Sequence, residues 1–130
     1  MLLEGHVNEN HEPRVSLLIR GPITQTEARV EATLDTGFND YLTLSLEQVA
    51  AMALPAIDIV RVVLADGSVI STPIFGAEVF WMRQWRNIEV QGGGDPLVGM
   101  LLVEGCRLTV EAWVGGLVRI EARTSEGESQ

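Results

Sequence analysis

The chain has 130 residues, of which 46% are hydrophobic and 21% are charged, a balance typical of one globular domain. Its formal net charge is −9, and so acidic a surface would repel nucleic-acid phosphates and anionic lipids. Its single cysteine, Cys106, excludes an internal disulfide and cannot supply a zinc site alone. The composition therefore predicts no nucleic-acid, membrane or metal partner.

Polar side chains occupy much of the first twenty residues, so this segment lacks the apolar stretch of a secretory signal. No run approaches the roughly 18 apolar residues of a membrane-spanning helix. The lack of paired cysteines is typical of a reducing compartment. We therefore expect a cytoplasmic protein.

Residues 1–13 are polar and weakly patterned, and they are predicted to form an N-terminal arm, either loose or a short edge strand. A single domain is expected to follow over residues 14–123. Apolar and polar residues alternate over residues 14–20, and again over residues 27–34 after a Gly-Pro turn. This pattern predicts two half-buried antiparallel strands.

A helix is predicted shortly after these strands, over residues 46–52. Ser45 is suited to the N-cap, and Gln48 stands three residues later, as a capping box requires. A short apolar strand at residues 41–44 precedes the helix.

The second half of the chain reads as further short strands. Asp66-Gly67 is a strong hairpin signal between two β-branched segments. An apolar segment at residues 97–103 predicts a short buried strand that leads into a short helix. The other expected elements are strands at 57–64, 68–75, 78–81 and 87–91, a loop at 92–96, a last hairpin at 107–123 and a disordered acidic tail at 124–130.

Seven to nine short strands with one or two short helices predict an all-β fold, a closed antiparallel barrel or a sandwich. The three tryptophans, Trp81, Trp85 and Trp113, are expected to be buried anchors or part of a dimer face. His6 and His11 are too few for a metal site, and no cofactor motif is complete.

One triplet, Asp35-Thr36-Gly37, carries a chemical signal, because it ends an alternating strand and presents a carboxylate at a sheet edge. The triplet alone could be an ordinary turn. About sixty residues later the apolar pair Leu97-Val98 precedes Gly99, and the long hairpin around Asp66-Gly67 lies between the two motifs.

This order and spacing resemble the retropepsin-like (clan AA) aspartic proteases over roughly residues 14–114, and Phe38 after the triplet resembles a prokaryotic "DTGF" branch. The resemblance implies a single-lobe acid-protease barrel with Asp35 as the catalytic group. It implies the following supporting and substrate-facing residues: Thr36, Gly37, Val98 and Gly99 to fix the loop, and Phe38, Ala65, Asp66, Gly67 and Ser68 to line the cleft and form the flap tip.

Peptide hydrolysis of this type needs one carboxylate to take a proton from water while a second gives a proton to the carbonyl oxygen. Two such carboxylates at close range share a proton and titrate as a pair. The sequence holds one Asp-Thr-Gly and no visible duplication. The second carboxylate is therefore expected from the partner in a homodimer with two-fold symmetry.

Three functional hypotheses remain open on the sequence. The first is an aspartic endopeptidase that cleaves extended peptides with an Asp35/Asp35′ dyad. The second is a retropepsin-like module that binds a peptide or protein with little turnover, which the large Phe38 and the single flap-tip glycine, Gly67, favour. The third is a monomeric β module with a chance triplet. In the retroviral enzymes that the motif resembles, an arginine usually follows the apolar-apolar-Gly motif, whereas this chain has Met100 there.

Overall fold

The computed structural model describes residues 2–123, so the predicted tail lies outside the described residues. Ten strands and one short helix form this part of the chain, and the all-β prediction is confirmed. The elements are β1 Leu2–Val7, β2 Pro13–Arg20, β3 Glu27–Leu34, β4 Leu42–Leu44, α1 Leu46–Ala51, β5 Ala56–Val63, β6 Val69–Trp81, β7 Gln84–Gly92, β8 Leu97–Val98, β9 Cys106–Val110 and β10 Leu117–Ala122.

The strands form one sheet in the order β5-β6-β7-β4-β8-β3-β2-β1-β10-β9. The end of β2 also pairs with β6, through Ile19↔Val79 and Arg20↔Glu78, so the sheet curls into a ring of strands. The pairs β3–β8 and β4–β7 are parallel, which differs from the expectation of an entirely antiparallel sheet. Strand β8 inserts between β3 and β4, parallel to β3 and antiparallel to β4, and β4 lies parallel to β7 on its other side.

Alternating burial along β2 and β3 sets their register. Leu17 pairs with Val30, and both side chains are buried in the ring interior. A slip of one residue would expose the whole apolar row, and each buried aliphatic side chain contributes about 1.5–3 kcal/mol. The predicted strands are therefore confirmed together with the face that each of them buries.

An ion pair closes the ring where β2 meets β6. Arg20 Nε donates to Glu78 Oε1 at 2.8 Å, and the Arg20 guanidinium lies 3.9 Å from the Trp85 ring centroid. The hydrogen bond from Arg20 holds the pKa of Glu78 below its ordinary value. The three tryptophans thus differ in burial. Trp85 is half-buried beneath the Arg20 guanidinium, Trp81 belongs to the core, and Trp113 is 60% exposed.

The amino-terminal segment differs from the expected arm or edge strand. Residues 2–7 form β1, which pairs with β2 on one side and with β10 on the other. Gly5 allows this close approach, because a Cβ there would lie 1.8 Å from the carbonyl oxygen of Arg14. Val7 is buried in the core, so β1 is an interior strand of the same sheet.

The helix α1 has the predicted capping box. Ser45 Oγ accepts from Gln48 N at 3.1 Å, and Ser45 N donates to Gln48 Oε1 at 2.9 Å. The prediction of a second helix after β8 was wrong for the described chain, where residues 100–105 form turns. Their first amides are taken by a neighbouring loop instead: Met100 N donates to Phe38 O and Leu101 N donates to Asp40 O.

The sequence predicted the turn of one hairpin correctly and predicted too long a break in the other. The turn at Asp66-Gly67 joins β5 to β6 as predicted. The β6–β7 hairpin turns at Met82 and Arg83, which both have positive φ, 50° and 72°. Two-residue turns of this kind normally use Asn-Gly. The break predicted over residues 82–86 is therefore only two residues long.

Candidate active site

The carboxylate of Asp35 lies just beyond the end of β3, in a tight loop. Asp35 Oδ1 accepts from Gly37 N at 2.9 Å, and Phe38 N donates to Asp35 O at 3.1 Å, which closes the turn. Asp35 is half-buried, whereas Thr36 and Gly37 are exposed. The Thr36 hydroxyl has no hydrogen-bond partner among residues 2–123. One carboxylate oxygen is thus oriented by the loop's own backbone.

Strand β8 braces this loop from within the ring. Asp35 N donates to Val98 O at 2.9 Å, and Thr33 N donates to Pro96 O at 3.0 Å. Val98 is fully buried between β3 and β4, and it pairs with both. A fully buried residue in a doubly paired strand has little freedom to move. The backbone that carries Asp35 is therefore held on a rigid element.

Gly99 and Phe38 meet directly behind the loop. A Cβ on Gly99 would lie 1.9 Å from Asp40 O and 2.7 Å from Phe38 Cδ2, so the ring rests against the bare glycine backbone. Gly99 N donates to Tyr41 O at 3.0 Å, and Met100 N donates to Phe38 O at 2.8 Å. These contacts tie residues 38–41 to residues 98–100. Phe38 is half-buried by them, and its predicted place in a substrate cleft stays a prediction.

Thr43 is a positioning residue that the sequence did not reveal. Its side chain is the buried polar one among residues 2–123, and its hydroxyl donates to Asp95 O at 2.6 Å and accepts from Leu97 N at 3.0 Å. These two hydrogen bonds fix the segment that leads into β8. The residue after Leu97 is Val98, whose carbonyl oxygen accepts from Asp35 N. The sequence signal that could have identified Thr43 is its position as the polar residue within the short apolar segment Leu42–Leu44.

Thr43→Val should lower the free energy of unfolding by about 1–3 kcal/mol, because the Leu97 amide and the Asp95 carbonyl lose a shared partner in a partly buried place. Thr43→Ser keeps the hydroxyl and should cost clearly less. Urea denaturation of the three proteins measures the difference. Equal midpoints for the valine and serine variants would contradict this account.

The predicted flap-tip residues come together in one turn. Leu64 N donates to Ser68 O at 2.8 Å, Gly67 N donates to Leu64 O at 2.9 Å, and Gly67 has a φ of 84°. The Ser68 hydroxyl and amide both donate to Asp66 Oδ1, and they hold the pKa of Asp66 below its ordinary value. No hydrogen bond among the described residues links this tip to the Asp35 loop.

The β5–β6 hairpin exposes apolar side chains on both faces. All eight residues of β5 are exposed, and Val63 reaches 70% exposure. Paired residues alternate between the faces, so Val63 and Val69 share one face while Val62 and Ile70 share the other. A two-stranded hairpin without a covered face is marginal in water. This hairpin is thus suited to cover an apolar group or to be covered by one.

A cavity of about 500 Å³ lies at the base of this hairpin. Ile57, Gly76 and Ala77 line it on the hairpin side, with Tyr41 and Glu89 among the other lining residues. None of Asp35, Thr36 or Gly37 lines it. The cavity is therefore separate from the loop that carries the candidate catalytic carboxylate.

Arg86 supports the turns that follow β8. Its Nη1 donates to Leu102 O at 3.1 Å, and its guanidinium lies 5.3 Å from the Tyr41 ring centroid. It thereby connects the turns after β8 to the segment before β4.

The thiol of Cys106 lies near Arg86 and is half-buried. Burial raises the pKa of this thiol, although the positive charge of Arg86 opposes the shift. A protonated thiol is a poor nucleophile.

The structure thus joins the predicted residues in two groups. Asp35, Thr36, Gly37, Val98 and Gly99 form one connected unit with Phe38, whereas Ala65–Ser68 form a separate turn. Within residues 2–123 no three His, Cys, Asp or Glu side chains cluster as metal ligands would. Over the same range no helix has the length and apolar character needed to cross a membrane.

Comparisons with known proteins bear on the fold. No protein-family model matches the chain, and no curated protein matches it. Among solved structures it is similar to a retropepsin-like aspartic protease from Rickettsia conorii, with a TM-score of 0.56. The alignment covers 94% of this chain and 93% of that one, at 15% sequence identity.

The fold is retropepsin-like. At 15% sequence identity, this similarity shows a shared backbone fold alone. The similarity in fold extends over nearly the whole chain.

Proposed function

We propose that this protein is an aspartic endopeptidase that hydrolyses peptide bonds of extended substrates. The observation that carries the proposal is the Asp35 loop: a half-buried carboxylate, oriented by Gly37 N and anchored to the fully buried Val98, on a retropepsin-like fold. A carboxylate held in this way is preorganised to bind and polarise a water molecule.

A second Asp35 from a partner copy completes the proposed site. One carboxylate would take a proton from the attacking water while its twin gives a proton to the substrate carbonyl oxygen. The exposed Thr36 hydroxyl, which lacks a partner within the described chain, would hydrogen-bond across the two-fold axis and fix both loops. Because Gly37 has no side chain, the backbone of the Asp35 loop would approach the substrate closely there.

The β5–β6 hairpin would close over the peptide. Its tip, Ala65–Ser68, would exclude water, and its exposed apolar faces would contact apolar side chains of the substrate. Phe38 would border the cleft from its position against Gly99. No metal or cofactor takes part in this chemistry.

A mixing experiment tests the shared dyad. Wild-type chains are combined with increasing amounts of Asp35→Asn chains at constant total concentration, and hydrolysis of a peptide library is followed. If every site needs one Asp35 from each of two randomly paired chains, equal amounts should retain about a quarter of the activity. Retention of half of the activity would mean that each chain works alone.

The alternative, a binding module with little turnover, predicts a different result. Wild-type protein would then bind peptides without cleaving any of them between about pH 3 and pH 8, a range that includes the upper pKa of a pepsin-type dyad. Binding without cleavage over this range would replace the endopeptidase proposal with the alternative.

A further inference from the structure

The open cavity at the base of the β5–β6 hairpin has the size and the lining of a small-molecule site. Its volume of about 500 Å³ falls within the range of roughly 300–1,000 Å³ that is common for ligand pockets. Such pockets combine apolar walls with a few polar groups. The described lining follows this pattern: Pro22, Ile57, Ala77 and Ile88 are apolar, and Tyr41, Asn87 and Glu89 are polar.

The register of the sheet explains why space remains above Gly76. Gly76 of β6 pairs with Glu89 of β7, and directly opposed residues present their side chains on the same face of a sheet. Because Gly76 has no side chain, the place beside Glu89 on this face is empty. A Cβ on Gly76 would lie 3.6 Å from Ile57 Cγ2, an ordinary contact. Glu89 and Ile57 therefore stand on the two sides of a gap above Gly76.

A β-bulge supplies the apolar wall of this gap. The partners of Ala56 and Asp58 are successive residues of β6, so Ile57 between them has no partner. Bulges turn a side chain in a new direction and are common beside functional sites. Ile57 is 54% exposed and lines the cavity. The bulged residue thus offers its side chain to an occupant of the cavity.

The opposite wall carries a carboxylate without a partner. Leu42 pairs with Val90 in parallel, so the residues that precede them, Tyr41 and Glu89, lie side by side. No hydrogen bond or ion pair within residues 2–123 uses the Glu89 carboxylate or the Tyr41 hydroxyl. Glu89 is also the one charged side chain among the described lining residues. An occupant would therefore meet a negative charge beside an uncommitted hydroxyl.

These charges favour a cation over a neutral molecule or an anion. The net charge of −9 attracts small cations to the chain, and Glu89 would attract a positive group within the cavity. Arg86 lies against the Tyr41 ring, but it does not line the cavity, and its Nη1 donates to Leu102 O. The Glu89 carboxylate is thus left without a compensating charge from the described chain.

We propose that this cavity, which we name the hairpin-base site, binds a small organic ammonium compound with an apolar, ring-sized body. The body rests above Gly76 against Ile57, the ammonium group pairs with Glu89, and the Tyr41 hydroxyl accepts a further hydrogen bond from it. Asp35, Thr36 and Gly37 do not line the site, so binding is independent of the proposed peptide hydrolysis.

Three indole compounds with a similar body test the selection by charge. Tryptamine is a cation at neutral pH, tryptophol is neutral and indole-3-propionate is an anion. Each is titrated into the full chain, and the backbone amide signals are followed by NMR. The dissociation constant of tryptamine should be at least about threefold below that of tryptophol, a gain typical of one exposed ion pair, and indole-3-propionate should bind most weakly.

The same spectra locate the bound compound. The amide signals of Gly76 and Glu89 should shift with tryptamine concentration, whereas those of Thr36 and Gly37 should stay in place. Shifts confined to the Asp35 loop would mean that the compound enters the proposed peptide cleft, and they would overturn the hairpin-base site.

Two substitutions test the two walls. Gly76→Val fills the gap and should raise the dissociation constant of tryptamine at least about tenfold, because the apolar body loses its place. Glu89→Gln should remove the preference for tryptamine over tryptophol, and it tests the site even if Gly76→Val does not fold. Glu31→Gln, the same change at an exposed position on β3 outside the cavity, is the matched control and should bind as wild type does.

The outcomes separate this inference from the proposed function. Equal affinities for the three compounds, no binding up to their solubility limit, or an unchanged preference in Glu89→Gln would each overturn the hairpin-base site. None of these results would alter the case for Asp35. Tryptamine binding that follows the predicted pattern in a protein without Asp35-dependent hydrolysis would support the site and overturn the endopeptidase.

Discussion

Asp35→Asn should lower the rate of peptide hydrolysis by at least about 10³-fold. The amide has the same shape as the carboxylate and can still accept from Gly37 N, so the loop should keep its geometry. It can neither take a proton from water nor give one to the carbonyl oxygen of the substrate. The loss should therefore appear in kcat, while the unfolding midpoint in urea and the dimer affinity stay close to wild type.

Glu31→Gln is the matched control, because it also replaces a carboxylate with its amide, at an exposed position on β3 outside both the catalytic loop and the β5–β6 hairpin. It should retain nearly full activity. Equal hydrolysis of a peptide library by wild type and Asp35→Asn would contradict the mechanism. Resistance to statine-type inhibitors would not, since Phe38 borders the proposed cleft and could exclude them.

Gly99→Ala should destabilise the fold by about 3 kcal/mol and disturb the Asp35 loop at the same time. The added Cβ would lie 1.9 Å from Asp40 O and 2.7 Å from Phe38 Cδ2. The ring can rotate away, but the carbonyl belongs to backbone that is fixed by β4 and β8. The strain must therefore move residues 38–41, whose contacts with residues 98–100 brace the loop.

Gly76→Ala provides the control for this substitution. A Cβ there would meet Ile57 Cγ2 at 3.6 Å and Pro55 Cγ at 3.8 Å, which are ordinary contacts. Alanine also loses less backbone entropy on folding than glycine does, so this variant should be as stable as wild type. Urea denaturation of both variants makes the comparison, and equal midpoints for Gly99→Ala and Gly76→Ala would contradict the packing account.

The support of Asp35 is distributed over four segments of the chain. Gly37 orients the carboxylate, and Val98 holds the backbone of Asp35. Thr43 fixes the segment that leads into β8, and Arg86 fixes the turns that follow β8. Each of these four supports is a hydrogen bond with at least one backbone partner, so together they hold the loop through the main chain.

The amino-acid sequence determined the local structure wherever short-range chemistry is decisive. Alternation predicted β2 and β3, Ser45 and Gln48 predicted the start of α1, and Asp66-Gly67 predicted the β5–β6 turn. The Asp-Thr-Gly and apolar-apolar-Gly motifs also identified two segments that the structure places in contact, through Asp35 N and Val98 O.

Only the tertiary structure decided the pairings between distant segments. The sequence predicted a helix after β8, yet Met100 N and Leu101 N bond to residues 38 and 40, some sixty positions away. It predicted a loose arm or a short edge strand within residues 1–13, yet β1 lies between β2 and β10. Hydrogen bonds and apolar contacts between remote segments outweigh weak local preferences, because propensities of a few tenths of a kcal/mol cannot compete with a buried ladder. The contacts of Thr43 and Arg86 that support the Asp35 loop depend on such remote pairings, which residues close together in the sequence do not determine.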